Sequence, residues 1–217
     1  MPYDHYPGDR NMYPKGTPSQ FPYPKQDFSQ FSEGELIAKS SAKDPLNNLI
    51  VTSGDITCQN NGGVKDGFTT TYNFRMLLNP MDSNNTRVRY TDYRVTTFGT
   101  VERWHPDRPN WSGMHLFLRY QTSDDLYVAS YRTDAQLVIK KKVGGKYSTL
   151  AIGSMKTAPE TGREYVMAFE IEGNNMRFYI DGILQLTAVD SDLTWGTSGV
   201  RCDYSDVYFD YIKISDV

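Results

Sequence analysis

Cysteine, histidine and net charge are all scarce in this 217-residue chain: two cysteines, three histidines and a formal charge of −3, with a sequence pI near 5.6. Cys58 and Cys202 are far apart and show no metal-ligand spacing. They leave open either a disulfide between early and late parts of the fold or two buried thiols. Any imidazole chemistry is confined to His5, His105 and His115. The sole basic run, Lys140 to Lys142, supplies too weak a field to make nucleic acid or an anionic membrane the general partner. No apolar stretch approaches the ~20 residues of a membrane-spanning helix, so a soluble domain with no membrane partner is expected. The start of the chain lacks the basic-then-apolar pattern of a secretory signal. The tripeptides Asn84 to Thr86 and Asn110 to Ser112 nevertheless suit N-glycosylation of a secreted, extracellular protein, although such tripeptides also arise by chance. Helical periodicity is missing too, with Glu33 to Ala42 as the only candidate for a short helix.

What the chain does have is aromatic residues: sixteen tyrosines and ten phenylalanines, which suit pleated, half-buried surfaces. Its length fits one domain that buries roughly 70% of its unfolded surface. Six of the eleven prolines lie in the first 24 residues, interleaved with tyrosines and without any period. Residues 1–27 therefore read as a Pro/Tyr-rich extension, either a flexible leader or an arm whose tyrosines pack along the domain. From residue 28 to 217, short strand-like runs alternate with turn chemistry. Strands are expected near residues 36–39, 49–52, 55–59, 69–78, 87–91, 93–104, 115–121, 127–133, 136–143, 147–152, 165–172, 175–180, 183–189, 199–203 and 207–215. Asn61 to Gly63, Gly144 with Gly145, Gly173 with Asn174, and Asp181 with Gly182 are the hairpin turns, because these residues tolerate positive φ.

The stretch from Ser112 to Gln121 carries the most chemistry. Strict alternation puts Met114, Leu116, Leu118 and Tyr120 on one face, and His115, Phe117, Arg119 and Gln121 on the other. The first face is core. The second is a polar row with neighbours about 7 Å apart, suited to an anionic or sugar ligand.

The segments Ser112 to Val128, Leu137 to Lys142, Gly144 to Ala151, Phe178 to Gly182 and Val207 to Ile214 together resemble the concanavalin A-like, or laminin-G-like, jelly roll over roughly residues 30 to 217. The fold this implies is an all-β jelly-roll sandwich of two antiparallel sheets with a concave groove. Within that group the chain looks most like polysaccharide lyases of the glucuronan lyase type, with alginate lyases further off. The resemblance implies β-elimination at a 1,4-linked polyuronate, with an acidic polysaccharide as partner; a monomer is expected. The alginate lyase patterns themselves are not reproduced, and Arg89 to Arg94 only loosely matches their arginine-bearing strand. Jelly rolls of this kind often hold a structural Ca²⁺, and Asp210 matches the position where a ligating aspartate recurs.

Elimination places a second negative charge beside the substrate carboxylate, so cationic or hydrogen-bonding groups must face it. Arg119 and Gln121 supply them, with Arg94 and Arg132 contributing if their strands lie alongside; each arginine also reads as an ordinary rim cation. Phe117 joins this substrate-binding set. His115 is the expected base, since an imidazole titrates near neutrality, and its alternative is a half-buried histidine that holds a loop. Tyr131 and Tyr204 are the expected acids. A non-catalytic lectin-like module would use the same row to hold sugar. A glycoside hydrolase would need two carboxylates, for which Glu170 and Glu172 are a poor match, and a purely structural β-sandwich would leave the row without a ligand.

Overall fold

A computed structural model describes residues 25–26, 28, 31–34, 36–38, 49–61, 64–78 and 88–217. Most of the 1–27 extension, including His5, lies outside these residues, as do the Asn84 tripeptide and the Gly62–Gly63 turn. Among the described residues the chain forms sixteen strands and no helix: β1 (Lys25–Gln26), β2 (Leu36–Ala38), β3 (Leu49–Ser53), β4 (Ile56–Asn61), β5 (Val64–Thr69), β6 (Asn73–Leu78), β7 (Tyr93–Trp104), β8 (Gly113–Thr122), β9 (Asp125–Arg132), β10 (Gln136–Val143), β11 (Lys146–Ser154), β12 (Glu164–Glu172), β13 (Asn175–Ile180), β14 (Ile183–Val189), β15 (Thr197–Asp203) and β16 (Ser205–Ser215).

The strands make two antiparallel sheets. One has nine strands in the order β14-β13-β12-β7-β16-β5-β4-β2, with β1 paired to β16; the other has seven in the order β11-β10-β9-β8-β15-β6-β3. The jelly-roll sandwich expected from the sequence is therefore present. Its core forms where the inward residues of both sheets meet, with Leu116, Leu118 and Tyr127 from one side and Val95, Phe169 and Phe209 from the other, all buried. Burying such side chains contributes about 1.5–3 kcal/mol each, which fixes strand register, since a one-residue slip would turn every one of them outward. Gly144 and Gly145 (φ 54° and 80°), like Asp181 and Gly182 (φ 51° and 77°), form the two-residue turns expected of them.

Three expectations change. The single strand over 69–78 is broken at Thr70 to Tyr72, where the chain passes from β5 in one sheet to β6 in the other, and Val64–Thr69 is a strand the pattern had not revealed. The strand expected near residues 36–39 is present as Leu36–Ala38, while the alternative short helix does not form over the described part of Glu33 to Ala42, where Glu33 and Gly34 make a turn; pairing with β4 outweighs a weak local preference. Of the 87–91 strand, the described part contains one isolated bridge, Tyr90 with Gly196. Cys58 and Cys202 are both free and buried, on opposite sheets.

Candidate functional site

The register of the seven-stranded sheet lines up Arg75 of β6, Arg201 of β15, His115 of β8 and Ser130 of β9 as direct cross-strand neighbours. All four point outward. The alternate residues Met76, Val200, Leu116 and Ala129 lie in the core, so the pleat sends this row to the opposite face. Neighbours so paired have Cβ atoms about 4.5–5.5 Å apart, near enough for their end groups to act on one ligand.

His115 sits at the centre of the row and is 92% buried as a residue with 8% exposure. Its Nδ1 is 2.8 Å from the Ser130 hydroxyl and its Nε2 is 3.0 Å from Oδ2 of Asp203. The second contact is close without the alignment of a hydrogen bond. Burial lowers the pKa of His115 below 6.5, and the neighbouring Asp203 offsets only part of that. Asp203 shows the reverse balance. Burial would raise its pKa, but the contacts from His115 and Arg201 outweigh it and hold the carboxyl below its usual range. Arg201 Nε donates to the other oxygen, Oδ1, at 2.7 Å. At neutral pH the group is thus a carboxylate, a neutral imidazole and a guanidinium.

Arg75 and Arg132 flank this group. Arg75 Nε donates to the Thr52 hydroxyl at 2.6 Å, a neutral partner, and its guanidinium carbon is 5.7 Å from the ring of Tyr120. Arg132 pairs with Asp134 at 2.7 Å while its Nε has no partner. The cluster therefore holds three guanidinium groups against the carboxylates of Asp203 and Asp134. That excess of positive charge suits an anionic group.

The remaining expected site residues go elsewhere. The row of His115, Phe117, Arg119 and Gln121 is interrupted at Arg119, which has φ 46° at a register shift between Leu118 and Thr122. The extra residue of a β-bulge reverses the alternation beyond it. Tyr120, expected in the main core, consequently joins Phe117, Leu77, Leu126 and Val128 in a separate outer apolar cluster. Arg119 turns to the end of the sandwich and is 3% exposed. There it donates to the carbonyls of Thr91 (3.0 Å), Leu193 (2.7 Å) and Gly173 (2.6 Å). A buried guanidinium needs such acceptors. Having found them in three loops, Arg119 is a clamp in this structure and does not stand beside His115. Gly196 makes room for the bulge, because a Cβ there would lie 2.2 Å from the Arg119 carbonyl carbon.

Phe117 is 2% exposed, packed in its apolar cluster, and Gln121 donates from Nε2 to Trp195 O at 2.9 Å. Arg94 lies on the outer face of the other sheet, ion-paired to Glu170, so its strand does not lie alongside β8. Tyr131 follows Ser130 and so faces the core, where its hydroxyl donates to Thr157 O at 2.9 Å and its ring meets Tyr165 edge-on. Burial pushes its pKa up. Tyr204 follows Asp203 directly and packs edge-on against Trp111 and Tyr72. Of the two expected acids, only Tyr204 adjoins the His115 cluster.

Asp203, Arg201, Ser130 and Arg75 were not singled out from the sequence. A signal did exist: Val200 to Asp203 alternates apolar and polar residues on a segment expected to be a strand. What sequence could not supply was which strands adjoin. For Ca²⁺, no group of three or more His, Cys, Asp or Glu side chains able to hold a metal exists among the described residues, and Asp210 belongs to none.

No protein-family model and no curated sequence matches the chain. Its structure is similar to the carbohydrate-binding module CBM66 from Bacillus subtilis, with 20% identity over 75% of this chain and 91% of that one and a TM-score of 0.55. It is also similar to the Ca²⁺-bound exoplasmic/lumenal domain of VIP36, with 9% identity, 84% and 90% coverage and a TM-score of 0.59. A third is an endo-β-galactosidase from Clostridium perfringens that releases GlcNAcα1-4Gal, with 10% identity, 93% and 64% coverage and a TM-score of 0.54. At these identities the likeness is one of fold alone, the antiparallel jelly-roll sandwich.

Proposed function

We propose that the protein is a carbohydrate-binding jelly roll that takes an acidic glycan on the outer face of its seven-stranded sheet, along the line of Arg75, Arg201, His115 and Ser130. The observation that carries this reading is the excess of guanidinium over carboxylate in the cluster around His115, where Arg75, Arg132 and Arg201 face Asp203 and Asp134. A sugar carboxylate would meet the guanidinium forks, and its hydroxyls would meet the imidazole and Ser130. Among similarly folded proteins, CBM66 is a carbohydrate-binding module and a VIP36 structure contains Man3GlcNAc, which supports a glycan as the ligand class. The test is calorimetric titration with β-1,4-glucuronan oligomers, alongside neutral oligosaccharides of the same length. Binding of the acidic series should weaken with added salt and fall about 10–100-fold in Arg75→Gln and in Arg201→Gln, the scale of one charge-assisted hydrogen bond. Equal binding by either variant and the parent protein would remove the reading.

A second reading, β-elimination on the same polyuronate, is favoured by the neutral imidazole set between cationic groups. His115 would act as base through the Ser130 hydroxyl, the guanidinium groups would stabilise the charge developing on the carboxylate, and Tyr204 would protonate the leaving oxygen. Incubation with β-1,4-glucuronan, with alginate as comparison, would then yield an ultraviolet-absorbing unsaturated product that disappears in His115→Ala while binding persists. Retained binding without product would leave the binding reading alone.

A further inference from the structure

We infer that Tyr72, Trp111 and Tyr204 form a stacking subsite beside the polar cluster, so that the ligand is an oligosaccharide whose next pyranose ring runs off the end of the seven-stranded sheet. This rests on the proposed glycan reading and adds its length and direction. The three aromatics come from separate points of the chain: Tyr72 from the turn before β6, Trp111 from the loop before β8, and Tyr204 from the link between β15 and β16. They meet because Asn73 pairs with Asp203 and Met114 with Cys202, which sets these three strand ends side by side.

Tyr72 is 55% exposed and Trp111 46%, two large exposed rings that both meet Tyr204. Tyr204 stands nearly perpendicular to both, with ring centroids 5.4 Å from Tyr72 and 5.8 Å from Trp111. The trio is therefore a set of crossed rings, leaving aromatic surface open to a further planar group. The negative face of such a ring attracts the polarised C–H bonds on the flat side of a pyranose.

Two observations set this corner apart from a chance apolar patch. Tyr204 has φ 52°, a left-handed conformation that glycine or asparagine adopts far more cheaply. Strain of this kind persists only where surrounding structure holds it, and here Tyr204 N donates to Tyr72 O at 3.0 Å and His105 N to Tyr204 O at 2.9 Å. The backbone that carries Tyr72 and Tyr204 is thus held in place before any ligand arrives, which lowers the entropy lost on binding. In addition, His105, whose ring is 4.4 Å from that of Tyr72, is 93% buried by side chain; its Nε2 contacts Asp206 and its Nδ1 has no partner. Asp203, the carboxylate of the polar cluster, directly precedes Tyr204 in the chain, so the aromatic trio lies at the end of the strands that carry the cluster.

The test uses the full chain, produced without glycosylation so that Asn110 carries no glycan beside Trp111, and β-1,4-glucuronan oligomers of increasing length. In the parent protein, lengthening from one unit to three should raise affinity about 3–10-fold per ring contacted, on the scale of one aromatic contact. Trp111→Ala and Tyr72→Ala should each lose that gain while binding the single unit normally. Intrinsic fluorescence should shift on adding the trimer and fail to shift in Trp111→Phe. A length gain that survives in both alanine variants overturns the subsite and leaves the acidic-glycan reading intact, which Arg75→Gln tests separately by weakening every length alike. If no acidic oligomer binds, the acidic reading falls. Neutral β-1,4-glucan oligomers then decide the trio: a fluorescence shift dependent on Trp111 keeps it, and none overturns it.

Discussion

The outer faces of the two sheets each carry a buried ionic cluster, and they differ in how completely the charges are answered. On the nine-stranded sheet, Glu170 is 2% exposed and is met by Arg94, by Arg177 Nη1 at 2.9 Å and by the Tyr179 hydroxyl at 2.8 Å. Burial would raise its pKa, but the contacts of Arg177, Tyr179 and Arg94 outweigh this and hold it below the usual carboxylate range. Arg177 also reaches Glu172 at 3.2 Å, so two guanidinium groups face two carboxylates. The network closes on itself. On the seven-stranded sheet, three guanidinium groups face two carboxylates, an imidazole stays neutral between them, and a guanidinium N–H is left without a partner. The first arrangement balances its charges within the protein, whereas the second holds an excess of positive charge. This is why Arg94, though a buried arginine on a sheet, reads as structural, while Arg201 belongs to the proposed site.

Glu170→Gln probes that contrast most strongly. It leaves two guanidinium groups without their shared carboxylate, and should cost about 3–5 kcal/mol in chemical denaturation, the usual effect of breaking a buried pair from one side. Glycan binding by the folded fraction should be unchanged. A loss of binding at preserved stability would mean that the closed face is the functional one.

The pH dependence of stability sharpens the other side. The fold favours neutral His115, so the unfolded chain takes up a proton first, near 6.5, and binds more protons than the native state below that value. Stability is therefore fully present above 6.5 and declines as the pH falls toward the depressed native pKa. Asp203 adds a further loss only below its ordinary 3.8, because its native pKa is also depressed. Urea midpoints from about pH 7.5 down to about pH 4.5 should show this decline, and His115→Gln should flatten its upper part. An unchanged slope in that variant would place the titrating group elsewhere.

The smallest effect is expected from Tyr131→Phe, which removes one hydrogen bond to Thr157 O. It should cost about 0.5–1.5 kcal/mol of stability and leave binding and any turnover untouched. A drop in turnover would return Tyr131 to the site, against its inward orientation.

Much of the architecture was legible in the residues. Strands Tyr93–Trp104, Gln136–Val143, Asn175–Ile180 and Ile183–Val189 have the boundaries their alternation implies, because period-two burial is a local pattern and Asp181 with Gly182 marks its own turn. The failures lie where a local pattern is interrupted without a local cause. The bulge at Arg119 depends on Gly196, 77 positions away in the chain, giving the backbone room. The change of sheet at Thr70 to Tyr72 passes through residues that look strand-like in isolation.

The site divides along the same line. His115 stood out because imidazoles are few, and Tyr204 could be named, but nothing in the order of residues joined them to Asp203, Ser130 or Arg75. By itself the sequence determined the all-β sandwich, its turns and which side of most strands faces oil, since alternation and turn chemistry act over a few residues. Only the tertiary structure decided which outward groups share a surface. Strand adjacency and the parity reversal at a bulge are set by packing between distant segments, and these made Arg119 a clamp while bringing Arg75, Arg201, His115 and Ser130 into one line.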